Sequence, residues 1–226
     1  MGRAKFCFLA IHCLSALSIA RCLTPLSVDG AGWMAGRRAV QVTAGGSHTC
    51  ALLDDASVKC WGANESGELG LEDTHARGDA PGEMGDDLPA VSLGTGRHAV
   101  AVSAGAANHT CALLDDGSVR CWGANDFGQL GLGDVEPRGD DPHEMGDELS
   151  ATDLGAGTWV VGVEAGGGYS CAVLNDGSAR CWGFNGYGNL GLGDHEHRGD
   201  GPSEMGEALP PLFAGPGRRV AALAPS

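Results

Sequence analysis

The sequence is poor in aromatic and basic residues, and its one long apolar run lies within the first 22 residues. Its 226 residues include five Trp, five Phe and two Tyr, and 14 Lys and Arg stand against 29 Asp and Glu. Three basic residues precede Leu23, which leaves 11 against all 29 acids in the rest of the chain. Nucleic acids and anionic membranes are bound through clustered Lys and Arg. This composition therefore argues against a nucleic-acid or membrane-surface partner.

Helical periodicity is absent as well, and glycine supplies 39 of the 226 residues. Each glycine inside a helix costs about 1 kcal/mol relative to alanine, which excludes a fold of long helices. The strict G-X-Y period of collagen is missing. With 42% hydrophobic and 19% charged residues, the chain is not compositionally disordered. An all-β, turn-rich fold remains.

Motifs for catalysis are missing too. The chain has no G-x-S-x-G elbow, H-E-x-x-H helix, phosphate-binding loop or C-x-x-C pair. His48 and His109 recur at one position of a repeat, where the third unit has Tyr169. A catalytic group would not recur in every unit, so we expect these side chains to hydrogen-bond a neighbouring strand. We predict that the chain has no catalytic, cofactor-binding or metal-binding residue and that the protein is not an enzyme.

Residues 1–22 have the layout of a secretory signal peptide. Arg3 and Lys5 precede an apolar run that ends at Ala20, and such a run is too short to span a membrane. We predict a signal peptide over 1–22, a linker over 23–39 and export from the cytosol. An organelle-targeting arm or an upstream piece of a longer protein is the alternative.

The remaining chain is built from a repeat of about 60 residues. Its three copies align from His48, His109 and Tyr169, and each contains a Cys-Trp-Gly triplet, at Trp61, Trp122 and Trp182. The units cover about 40–99, 100–159 and 160–217, and residues 218–226 restart the pattern. The sequence therefore predicts a single repeat domain over 40–226.

Each unit contains the strand signals of a β-propeller blade. Runs such as HTCALL and SVRCWG are joined by a DDG or NDG turn, which is typical of a tight hairpin. A strand precedes the hairpin, and PAVSLG predicts a fourth strand after it. The fold class is therefore all-β, with four-stranded antiparallel blades: three blades and the first strand of a fourth, a partial propeller. We expect Trp61, Trp122 and Trp182 to pack between blades.

Six cysteines form three pairs, each ten positions apart: Cys50 and Cys60, Cys111 and Cys121, Cys171 and Cys181. A three-residue turn closed by a left-handed glycine places the two members of a pair directly opposite each other. We predict one cross-strand disulfide in each blade, which requires an oxidising compartment. Reduced, apolar thiols are the alternative. Ala56 replaces the turn glycine in the first unit, which predicts a weaker hairpin there.

The string HTCALLDDGSVRCWGANDFGQLGLGD resembles the signature of the regulator of chromosome condensation repeat family. The resemblance extends from Val40 to the carboxyl terminus. It implies a β-propeller, often seven-bladed. Members of that family act as guanine-nucleotide exchange factors, as β-lactamase-inhibiting propellers or as interaction domains. Three units fall short of a closed propeller, so we expect a fragment of a longer protein, assembled copies or an open arc.

A long acidic connection follows each GLGD or GLED segment. It contains an Arg-Gly-Asp tripeptide at Arg77, Arg138 and Arg198, and its recurrence predicts a structural role in which Arg and Asp pair within the loop. The remaining carboxylates could bind Ca²⁺ or a basic protein, although no EF-hand pattern is present.

These features predict a non-enzymatic protein–protein interaction module, exported and stapled by disulfides. Its protein partner is not identified by the sequence, and copies could associate to cover open blade edges. A regulator of a small GTPase that resembles the exchange factors is one alternative. A surface module that binds Ca²⁺ or carbohydrate is the other.

Overall fold

A computed structural model describes residues 37–212, 215 and 217–223. The predicted signal peptide and most of the predicted linker lie outside these residues. Three antiparallel sheets of three strands each make up the described chain, as expected for an all-β partial propeller. In this part of the chain, no helix is long and apolar enough to cross a bilayer.

Each sheet is a blade whose strands follow in chain order. Blade 1 contains β1 (Ala39–Ala44), β2 (His48–Leu53) and β3 (Val58–Gly62); blade 2 contains β4 (Ala99–Ala104), β5 (His109–Leu114) and β6 (Val119–Gly123); blade 3 contains β7 (Val160–Ala165), β8 (Tyr169–Leu174) and β9 (Ala179–Gly183). Short 3₁₀ turns occur at Gly146–Glu148 and Gly206–Ala208.

The hairpin turn sets the register of the second and third strands in every blade. In blade 2, the N–H of Leu114 donates to the carbonyl of Ser118 at 2.9 Å, and Gly117 adopts a left-handed φ of 77°. The Asp116 carboxylate accepts hydrogen bonds from the backbone and the hydroxyl of Ser118. Ala56 of blade 1 occupies the same left-handed region, with a φ of 65°. Because side chains disfavour that region, blade 1 has the strained version of the turn.

The predicted fourth strand does not form a regular ladder. The outer edge of β3 is divided between two segments: Gly62 pairs with Arg77 at one end, and the N–H of Val91 donates to the Val58 carbonyl at the other. The carbonyl of Ser92 accepts instead from Gly146 of the next unit. The segment of the expected fourth strand therefore pairs with β3 through the hydrogen bond of Val91, because the carbonyl of Ser92 binds the loop of the next unit instead. Likewise, residues 217–223 form no strand, although Val220 donates to the Gly177 carbonyl.

Side chains join the inner strands of neighbouring blades. The Gln41 amide accepts from the N–H of Val102 and donates to its carbonyl. The Thr43 hydroxyl accepts from the N–H of Ala104, and the Ser103 hydroxyl accepts from the N–H of Ala165. These bonds satisfy strand-edge groups that would otherwise be exposed.

The hydrophobic core lies between blades. One cluster joins the Cys50 and Cys60 face of blade 1 to Ala112, Leu114 and Trp122 of blade 2. The equivalent face of blade 2 packs against blade 3 in a second cluster, which includes Leu174 and Trp182. Each blade is therefore stabilised chiefly by its neighbour, as in other repeat proteins.

Candidate functional site

The structure joins all three cysteine pairs as disulfides across the outer hairpins. The Cα atoms of Cys50 and Cys60 lie 4.1 Å apart, and the pairs Cys111–Cys121 and Cys171–Cys181 have the same separation. In blades 1 and 2 these cysteines are fully buried against the next blade. Cys171 retains 8% exposure, because no further three-stranded blade covers its face in the described chain, where Leu190, Leu192 and Leu223 pack against it. The disulfides therefore staple the faces on which the blades stack.

A hydrogen-bonded latch connects blade 1 to blade 2. The carbonyl of Glu68 accepts from the indole N–H of Trp122 at 3.1 Å and from the hydroxyl of Thr110 at 3.0 Å. Because that hydroxyl is committed to Glu68, it accepts from Nε2 of His48, 2.8 Å away. Between blades 2 and 3, Gln129, Trp182, Ser170 and His109 form the same arrangement. The recurring histidines thus bind a strand of the following blade.

These two histidines are held neutral. Burial lowers the pKa of His48 to about 4 and that of His109 to about 3. With Nε2 donating across the blade interface, Nδ1 must carry the lone pair, and it has no hydrogen-bond partner among the described residues. A buried neutral imidazole whose proton is fixed by a structural bond is a poor general acid at neutral pH.

The three tryptophans occupy equivalent positions but unequal environments. Trp122 and Trp182 are fully buried at the interfaces with the preceding blades. Trp61 is only half-buried, because no blade precedes it in the described chain. Inter-blade packing therefore applies to two of the predicted core tryptophans, and Trp61 lies on an uncovered face.

The arginine of the Arg-Gly-Asp tripeptide does not pair with the aspartate of that tripeptide. Instead, Arg77 binds Asp73, four residues upstream, with 2.6 Å between guanidinium nitrogen and carboxylate oxygen. Arg138 with Asp134 and Arg198 with Asp194 repeat this ion pair at 2.8 and 2.7 Å. The expected pairing of Arg and Asp within the loop therefore holds, but the aspartate is that of the GLGD or GLED segment and not that of the tripeptide. The backbone of the arginine bridges to the end of the third strand of the blade.

In each acidic connection, a second carboxylate binds the backbone of the loop, and other carboxylates are exposed to solvent. Glu144 accepts from the backbone N–H groups of Gly139 and Asp141, as Glu83 and Glu204 do in their units. Several further carboxylates are exposed on the three loops: Asp79, Asp86, Asp87, Glu136, Asp141, Glu148 and Glu196. Arg77, Arg138 and Arg198 are each paired with the aspartate four residues upstream, so none of these three arginines neutralises the exposed carboxylates. The loops therefore form an anionic rim.

The two ends of the blade stack expose surfaces that are buried elsewhere. Val42 of blade 1 is 61% exposed, whereas its counterparts Val102 and Val163 are 1% and 5% exposed. At the other end, Asn189 is exposed where Glu68 and Gln129 are buried. Within the described residues, each end therefore carries one half of the latch without the other.

An aromatic cluster that the sequence analysis missed lies where blades 2 and 3 meet. The ring centroids of Phe127 and Phe184 are 4.9 Å apart, and His197 lies 5.4 Å from Phe127 and 5.2 Å from Phe184. Tyr187 stands 5.7 Å from Phe184 and is 87% exposed. The sequence signal for this cluster is a departure from the repeat. Unit 1 has Ser66 at the position of Phe127 and Tyr187, Ala63 at that of Phe184, and Ala76 at that of His197.

The sequence leaves open a Ca²⁺ site on the acidic loops. No group of three or more His, Cys, Asp or Glu side chains in the described ranges is arranged to hold a metal ion. An open cavity of about 450 Å³ between the loops of blades 2 and 3 contains Asp134, Glu148 and Asp153. Asp134 is bound to Arg138, and Asp153 accepts from the N–H of Gly155.

Comparisons with known proteins agree with this architecture. The family model for the regulator of chromosome condensation (RCC1) repeat matches residues 39–68, 99–129 and 160–189, and a second model of that description matches 116–173. The chain is 34% identical to the ultraviolet-B receptor UVR8 of Arabidopsis thaliana over 72% of its own length. It is 31% identical to the human E3 ubiquitin-protein ligase HERC2, again over 72% of its length.

The crystal structure of Prp20p from Saccharomyces cerevisiae superposes with a TM-score of 0.54 at 25% identity, over 71% of this chain and 37% of that one. The chain spans 33% of the length of UVR8 and 3% of that of HERC2. The three family matches start at the first residue of β1, β4 and β7, so repeat and blade coincide. This chain belongs to the regulator of chromosome condensation (RCC1) repeat family.

Proposed function

We propose that this chain is a non-enzymatic protein-recognition module whose anionic rim binds a basic protein. The observation that carries the proposal is the division of the loop carboxylates. One set holds the loop arginines and the loop backbone, and the other set is exposed with no loop arginine left to neutralise it. Complementary charge steers association and suppresses wrong partners. Prp20p, a family member, is described with binding properties toward Gsp1p and histones.

Titration with poly-L-lysine, with poly-L-glutamate as the control polymer, tests the rim. A variant with Glu136→Gln, Asp141→Asn and Glu148→Gln should weaken polylysine binding and its dependence on salt. The matched control removes three exposed carboxylates outside the loops, with Asp54→Asn, Glu65→Gln and Asp115→Asn. Equal loss in both variants would show that only net charge matters and would defeat the proposal.

We also propose that the chain is exported. Three disulfides are the supporting feature, because such bonds persist in oxidising compartments. Intact-mass measurement of protein from the culture medium, without reductant, should show all six repeat cysteines oxidised and a shortened amino terminus. Six free thiols on a cytosolic protein would contradict export and favour the GTPase-regulator alternative.

Self-association is a second proposal, and the exposed latch halves favour it. Trp61 and Thr49 at one end match the donors Trp122 and Thr110, while the Asn189 backbone at the other end matches the acceptor Glu68. A second copy placed head to tail would repeat the interface between blades 1 and 2. Sedimentation velocity should show a concentration-dependent dimer that Trp61→Ala weakens. A monomer at all concentrations would refute this assembly.

A further inference from the structure

The aromatic cluster of Phe127, Phe184, Tyr187 and His197 is not required by the propeller fold. The joint between blades 1 and 2 has the same backbone bonds, with Ser66, Ala124 and Pro137 in the places of Phe127, Phe184 and His197. There, the N–H of Gly46 donates to the carbonyl of Gly105, as the N–H of Ala106 donates to the carbonyl of Gly166 between blades 2 and 3. The interface between blades 2 and 3 therefore has an exposed aromatic group that the equivalent interface between blades 1 and 2 lacks. The stacking of blades alone does not explain this group.

The surroundings of this cluster are anionic. Asp126 precedes Phe127 and is exposed, and exposed Glu196 precedes His197, with its carbonyl bound to the Asn185 amide. The neighbouring cation, Arg198, is already occupied by the Asp194 carboxylate and by the carbonyls of Glu196 and His197. Aromatic faces beside uncompensated carboxylates form a site suited to a cation.

The kind of cation follows from the shape of the cluster. Phe127 and Phe184 meet edge to face, with an interplanar angle of 64°, and Tyr187 meets Phe184 at 73°. The exposed ring of Tyr187 offers a planar aromatic surface, and guanidinium stacks on aromatic faces and forks onto carboxylates better than an ammonium does. Tyr187, at 87% exposure, contributes little to the core, so its ring is free to contact a partner.

We propose that Phe127, Phe184, Tyr187 and His197 form a docking site for an arginine-bearing segment of a partner protein. This site deepens the proposed function and rests on it: the rim attracts a basic partner, and the cluster receives its arginine side chains. Cation–π contacts of this kind are worth about tenfold in affinity when partly desolvated.

The test is fluorescence anisotropy with a labelled arginine–glycine repeat peptide and an otherwise identical peptide that has neutral citrulline for arginine. The variant Phe127→Ser, Phe184→Ala and Tyr187→Ser introduces residues found at these positions in other units, so we expect it to fold. We expect it to weaken arginine-peptide binding about tenfold or more. Val100→Thr, which removes an exposed valine from β4, should change binding less than about twofold.

The single variant Tyr187→Ser, judged together with thermal unfolding, covers the case in which the triple variant does not fold. Unchanged peptide binding by either folded variant would overturn the docking site, as would equal binding of the citrulline peptide. If the rim variant weakens polylysine binding while the cluster variants leave arginine-peptide binding unchanged, this inference fails and the proposed function stands. If the rim variant binds polylysine normally, the proposed function itself fails.

Discussion

The indole N–H of Trp122 donates to the backbone carbonyl of Glu68 at 3.1 Å, across the interface between blades 1 and 2. The tryptophan is fully buried there, whereas its counterpart Trp61 is half-buried. Trp122→Ala should therefore lower the free energy of unfolding by roughly 3–5 kcal/mol. Trp61→Ala is the matched control and should cost at least about 1 kcal/mol less. Urea unfolding followed by circular dichroism measures both, and equal losses would show that the interface is not what buries the ring.

Glu68 places a fully buried carboxylate where blade 2 has Gln129. One oxygen accepts from the N–H of Ser66, and the other has no partner among the described residues. Glu68→Gln should raise the free energy of unfolding by about 1–3 kcal/mol, because an amide is cheaper to bury than an unpaired carboxylate oxygen. Urea midpoints at pH 7 would check this. Glu65→Gln, at an exposed neighbour, should leave the midpoint unchanged.

Ala56 adopts a left-handed conformation with a φ of 65°, where blades 2 and 3 have Gly117 and Gly177. Ala56→Gly should stabilise the protein by up to about 1 kcal/mol, since the backbone strain exceeds the entropy that glycine adds to the unfolded chain. The reverse change, Gly117→Ala, should destabilise it by more, because a Cβ there would lie 2.6 Å from the Trp159 ring. Differential scanning calorimetry compares the two. A lower melting temperature for Ala56→Gly would contradict the assignment of strain.

The buried histidines should make the folded state sensitive to mild acid. The pKa values of His48 and His109 fall to about 4 and about 3 on folding, from an unfolded value near 6.5. The unfolded chain therefore binds more protons between pH 6 and pH 4, and stability is lost as the pH falls through that window. The slope should approach about 1.4 kcal/mol per pH unit for each histidine.

Urea unfolding at several pH values between 7 and 4 measures that slope. Replacing the exposed His75 by Gln should leave it unchanged, whereas His48→Gln should reduce it. Asp116 and Asp147, whose pKa values are lowered mainly by hydrogen bonds from Ser118 and Thr95, contribute only in more acidic solution. A flat profile down to pH 4 would mean that the imidazoles are not buried as neutral groups.

The hairpin features were predictable because they depend on neighbours in the chain. A ten-residue spacing about a three-residue turn places Cys111 opposite Cys121, and the same turn requires the left-handed position that Gly117 fills. The loop ion pair was only half predictable. A repeated Arg and a repeated Asp indicated pairing, but the loop conformation decides that Arg138 reaches Asp134.

The sequence by itself determined the repeat, the all-β blade, the cysteine pairs and the acidic loops, since each is written in spacing that recurs every 60 or 61 residues. Only the tertiary structure decided which equivalent residues differ in environment. Trp61 and Trp122 have the same local sequence, yet a neighbouring blade buries one of them alone. Phe127 and His197 lie 70 positions apart and meet only because blades 2 and 3 stack side by side. Stacking of blades therefore creates the surface on which the proposed recognition depends.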